Sequence, residues 1–116
     1  MVVNRALLAW GPVVLWMAGL AWASLSPPPP VPDGAGLWLH VVAYGILTLL
    51  LRRATADRGI TVRTVVAAAT AYAYGAVLEG LQAALPYRTA EAGDLLANAI
   101  GVAAAAFIPI YRRTGG

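Results

Sequence analysis

The stretch EGLQAALPYRTAEAGDLLANAIG, Glu79 to Gly101, decides how this chain reads. An acid and an amide, Glu79 and Gln82, close one apolar segment. Pro86 and Arg88 sit in a short connection, and Asp94, Asn98 and Gly101 open a second apolar segment. Ionisable side chains are expensive in hydrocarbon and are placed there for a reason. The neighbouring sequence makes hydrocarbon the surroundings to consider.

Of the 116 residues, 60% are hydrophobic and 11% are charged, and the mean hydropathy is +0.72. Soluble domains carry about 25% charged residues. The composition is that of a single-domain, all-α membrane protein, covering residues 1–116. With no Cys there is no disulfide, thiol nucleophile or thiolate metal site. With one His there is no multi-histidine site within a chain, and no metal or cofactor is expected. The pI of about 9.8 comes from eight Arg with no Lys. These cluster between apolar segments as a topology signal, which argues against a nucleic-acid surface.

Four apolar runs set the expected spans at 6–24, 37–53, 61–85 and 93–110. Crossing a bilayer core of about 30 Å takes roughly 20 residues as helix. Pro12 lies early in the first run and should bend it. A basic residue, an apolar stretch and Ala21-Trp22-Ala23 also fit a secretory signal peptide. The run exceeds the roughly 7–15 residues of a signal's apolar core, so retention is the expectation. Five of the eight prolines fall at 27–30 and 32 and make residues 25–36 a stiff, extended connector.

On the second run His40 and Tyr44 share a helical face. On the third, Tyr72, Gly75, Glu79, Gln82 and Pro86 recur at helical spacing, with Tyr72 expected in the core. On the fourth, Asp94, Asn98, Gly101, Ala105 and Ile108 do the same. Gly101 and Ala105 form a small-xxx-small packing face.

Four spans put both termini on one side. Arg5, Arg52, Arg53, Arg58, Arg63, Arg112 and Arg113 fall on that side and Arg88 opposite, seven against one. The termini are therefore expected in the cytoplasm. The acids Asp33, Glu79, Glu91 and Asp94 fall on the outer side. His40, Tyr44, Glu79, Gln82, Arg88, Asp94 and Asn98 then reach similar depth and form a candidate outer polar pocket. Arg88 is expected to fold over it, with Arg88 or a protonated His40 as the cation for Glu79. Asp94 is placed to cap the fourth helix. The bland alternative is that the set only cross-links helices as polar glue.

The pattern Glu79, Gln82, Pro86-x-Arg88, Asp94, Asn98, Gly101, with upstream His40 and Tyr44 and the Leu25-Ser26 before the prolines, resembles the VanZ-like family of small bacterial membrane proteins. The resemblance covers nearly the whole chain. Two places depart from the family: Gly36 and Leu37 stand where Asp-Lys is usual, and Ala105 stands for a second glycine. The resemblance implies a bacterial plasma-membrane protein of the cell envelope, linked in theme to resistance against the glycopeptide teicoplanin. It implies no reaction.

Three functions compete. The first is a non-enzymatic protein whose pocket binds a lipid head group, a lipid-linked cell-wall precursor or a glycopeptide's lipid tail. The second is an enzyme acting on an outer-leaflet lipid, with Glu79 as general base and His40 or Arg88 stabilising an anion. No G-x-S-x-G nucleophile motif is present to support it. The third is proton-coupled transport, for which the inner half of the spans offers no ionisable relay unless a homo-oligomer supplies one.

Overall fold

The computed structural model describes residues 4–30, 32, 34–89 and 91–109. Four helices make an all-α, up-and-down bundle: α1 (Arg5–Leu25), α2 (Ala35–Ala54), α3 (Ile60–Gln82) and α4 (Ala92–Ala106). Asn4 starts α1 by accepting the Ala6 N–H with its side chain at 2.9 Å. Helix α1 runs through Pro12 and stops at Ser26, where the proline run begins. The chain re-enters at Gly34, whose φ of +84° is the left-handed conformation that glycine adopts without strain. Asp33, Arg112 and Arg113 lie outside the described residues.

The first three helices are each long and apolar enough to cross a membrane. The fourth is not. The expected span 93–110 is helical only from Ala92 to Ala106, 15 residues. At 1.5 Å per residue it is about 22 Å long. Pro109 supplies no N–H to continue it. Likewise α3 ends at Gln82 rather than residue 85, because the chain turns at Ala83–Ala84. Large apolar side chains such as Leu15, Trp22, Trp38, Val65, Val77, Leu96 and Phe107 stand outward on all four helices. Water-soluble monomers rarely expose so much contiguous apolar surface, whereas a bundle bathed in lipid does.

Helix α2 is central and touches the other three, while α1 and α4 do not meet. Leu47, Leu51, Tyr44, Ala67, Ala71, Val102 and Val13 form the core. The α2–α4 crossing is the tightest. A Cβ on Gly101 would stand 2.1 Å from the Val41 carbonyl oxygen, so only glycine permits that approach. Helix α1 buries only Val13 and is fastened by polar bonds instead. Trp16 Nε1 donates to the Ala43 carbonyl at 2.9 Å, and the Tyr74 hydroxyl donates to the Met17 carbonyl. Tyr72, expected in the core, is exposed; it lies about 100° round the helix from buried Ala71.

Three arginines close the C-terminal ends of helices, where carbonyls lack intrahelical partners. Arg88 donates to the Ala23 and Ser26 carbonyls at the end of α1. Arg63 donates to the Arg52 carbonyl at the end of α2. Arg52 donates to the Ala105 and Ile108 carbonyls at the end of α4.

Candidate functional site

The end of the bundle where α1 and α3 finish and α2 and α4 begin holds the seven expected residues. It divides them into two groups. One group joins α2 to α4. His40 Nδ1 and Asn98 Oδ1 are 2.8 Å apart, and His40 Nε2 lies 3.7 Å from Asp94 Oδ1. Both imidazole nitrogens therefore face α4. The His40 ring stacks on Tyr44 one turn deeper, with centroids 6.2 Å apart and planes 7° from parallel. Asn98 is 1% exposed and fits because Gly75 on α3 has no side chain. A Cβ there would meet Asn98 Nδ2 at 2.7 Å and Tyr44 Cε1 at 2.8 Å.

Glu79 belongs to this group but, among the described residues, does not form an ion pair with a cation. Its Oε1 accepts the backbone N–H of Glu91 at 2.7 Å. That N–H belongs to the residue preceding the first turn of α4. Glu79 thus does from a neighbouring helix what the acid at the third helical position does in a capping box, accepting the N–H of the N-cap residue. Asp94, expected as the cap, makes no side-chain cap bond; it lies in the first turn, near the positive end of the α4 dipole, and faces His40.

The second group faces α1. Gln82 Nε2 donates to the Ser24 carbonyl at 2.9 Å, and the Tyr87 hydroxyl to the Leu25 carbonyl at 2.6 Å. Arg88 Nε donates to the Ser26 carbonyl at 2.8 Å. Arg88 was expected to cover Glu79, and it turns instead to the carbonyl end of α1. Carbonyls at a helix C-terminus carry partial negative charge and attract a guanidinium.

Between α1 and α2, beside this second group, lies a cavity of about 530 Å³. Its walls are mainly apolar, with Trp16, Leu20, Trp22 and Leu39 among them. His40, Tyr44, Gln82 and Arg88 border it, while Glu79, Asp94 and Asn98 do not. Small-molecule sites typically measure about 300–1,000 Å³, with apolar walls and a few polar groups. No family model, curated protein or solved structure matches the chain.

The arrangement supplies a recess for hydrocarbon with a polar rim. Among the described residues no carboxylate lines the wall, and Glu79 is turned away from the recess toward the start of α4. Among the described residues no three His, Cys, Asp or Glu gather as metal ligands.

Residues that sequence reasoning missed lie deeper and at the opposite end. Trp16 and Tyr74 fasten α1, and Arg52 and Arg63 are buried at 2% and 6% exposure. The signal was available. His40, Tyr44, Thr48 and Arg52 recur every four residues, as do Arg63, Ala67, Ala71 and Gly75. Each Arg prolongs a buried stripe, whereas neighbouring Arg53 is exposed.

Proposed function

We propose that the protein is a VanZ-like, four-crossing component of a bacterial plasma membrane that holds an amphiphilic ligand in the cavity between α1 and α2. The observation that carries this reading is the cavity itself: mainly apolar walls ending at His40, Gln82 and Arg88. The short α4 crosses with its polar entrance at Asp94 and Asn98 near the head groups, and modest local thinning of the bilayer accommodates its length. Seven arginines on one side favour cytoplasmic termini, which puts the cavity in the outer half of the membrane. The family resemblance, carried by His40, Glu79, Asp94, Asn98 and Gly101, favours a ligand from the cell envelope. A lipid head group, a lipid-linked cell-wall precursor or the lipid tail of a glycopeptide each has the required amphiphilic form.

Native mass spectrometry of the protein released from its own membrane tests the reading. A Cβ on Gly19, which lines the cavity, meets nothing within 4 Å, so the backbone there admits a side chain, and Gly19→Phe is the variant chosen to narrow the cavity. The expected result is a retained amphiphile in the native protein and its loss in Gly19→Phe. No retained amphiphile, or retention equal in both, would overturn the proposal.

A further inference from the structure

Resting on the cavity as an amphiphile site, we infer that its ligand is a single hydrocarbon chain with an anionic head, and that the head is received by Arg88. Three observations lead there. The first is size: about 530 Å³ of space between mainly apolar walls, within the range of small-molecule sites. That suits one chain and a small head.

The second is the sign of the wall. Of the described residues that line the cavity, Arg88 is the charged one at any pH where His40 is neutral, and none is acidic. Of the described acids at this end, Glu79 accepts the Glu91 N–H and Asp94 faces His40 from α4, and neither they nor Glu91 lines the cavity. His40 has both ring nitrogens turned to Asn98 and Asp94, so toward the cavity it adds no competing polar group.

The third is unused donor capacity. A guanidinium has five N–H groups in a rigid fork. Arg88 Nε and Nη2 serve the Ser26 and Ala23 carbonyls, and Nη1 has no acceptor among the described residues. The two bonds to α1 hold the guanidinium fixed beside the cavity, half-buried. A fork so oriented matches a phosphate or carboxylate, and charge-assisted bonds at a partly desolvated site are the stronger kind. The α1 carbonyls that pin Arg88 leave its remaining donors for the ligand.

The test uses the full chain in a neutral detergent and four probes: dodecyl phosphate, dodecanol, dodecyltrimethylammonium and inorganic phosphate. Retention is read by native mass spectrometry and affinity by titration. The wild-type protein is expected to bind dodecyl phosphate about tenfold or more tighter than dodecanol. Dodecyltrimethylammonium should bind more weakly than dodecanol, and inorganic phosphate should not be retained. Arg88→Gln should abolish the preference for phosphate while keeping dodecanol, and Arg88→Lys should keep much of it. Equal binding of dodecyl phosphate and dodecanol by wild type, or a preference that survives Arg88→Gln, overturns the assignment of the head while leaving the cavity as a chain site. Retention of inorganic phosphate as tight as dodecyl phosphate shows an anion site without a chain and overturns the inference. Binding of none of the three alkyl probes overturns the cavity reading itself. If Arg88→Gln does not fold, the order phosphate, alcohol, ammonium in wild type decides alone.

Discussion

Gly101 lies against the backbone of Val41 so closely that an added Cβ would stand 2.1 Å from the Val41 carbonyl oxygen. Neither backbone can move without opening the α2–α4 contact that carries His40 toward Asp94 and Asn98. Gly101→Ala should therefore cost about 3 kcal/mol, at the upper end of the usual range for overpacking. Gly80 offers the control: nothing lies within 4 Å of its added Cβ. There Gly80→Ala should leave stability unchanged or raise it by about 0.5–1 kcal/mol through helix propensity. Thermal unfolding of both variants in one detergent separates the effects, and similar melting points would refute the close approach.

His40 and Asn98 should be energetically coupled. Their bond is 2.8 Å long and Asn98 is almost fully buried. Polar pairs between membrane helices couple by about 0.6 kcal/mol on average and up to about 1.7. Confinement between Gly75 and Tyr44 places this pair toward the upper value. A double-mutant cycle of His40→Ala and Asn98→Ala measures it. Additive single effects would mean that the two side chains do not hold each other.

Much of this was legible because depth along a helix can be counted from sequence. His40, Tyr44, Glu79, Gln82, Asp94 and Asn98 do gather at one end of the bundle. Direction round the helix and the identity of neighbours could not be counted in the same way. Tyr72 and Glu79 are seven residues apart and nearly aligned, yet both lie at the edge of the buried stripe. Glu79 is covered because the connection after α3 folds back over it, and Tyr72 has no such cover. Arg88 could be assigned to a loop but not to α1, since nothing in the spacing says that α1 misses α4. The end of α4 was hidden because Phe107, Ile108 and Ile110 keep the sequence apolar after the helix has stopped.

Glu79→Gln and Glu79→Ala should differ in a way that identifies Glu79 as a remote cap. The amide of Gln keeps an oxygen able to accept the Glu91 N–H, now 2.7 Å from the carboxylate. Alanine leaves that donor without its protein acceptor, at the roughly 1 kcal/mol typical of one hydrogen bond. Hydrogen exchange at the first turn of α4 should quicken in Glu79→Ala and remain close to native in Glu79→Gln. Equal exchange in the two variants would show that the carboxylate's charge, rather than its acceptor, is what matters.

Arg52 and Arg53 are adjacent and equally charged, but they should not be equivalent. Arg52 Nη1 donates to the Ala105 and Ile108 carbonyls, each at 2.7 Å, and the Arg52 carbonyl receives Arg63 Nε at 2.9 Å. Arg52 is 2% exposed, and among the described residues no acid pairs with it. Its interaction is therefore with the carbonyl end of α4. Hydrogen bonds to charged groups contribute about 1.5–3 kcal/mol, so Arg52→Leu should lose about that much. Arg52→Lys should fall between, because an ammonium lacks the planar fork. Exposed Arg53→Leu removes the same charge and the same topology signal, yet should stay within about 0.5 kcal/mol of native. Unfolding in detergent, scored with membrane insertion of each variant, separates the capping role from orientation. Equal losses for Arg52→Leu and Arg53→Leu would reduce both residues to topology signals.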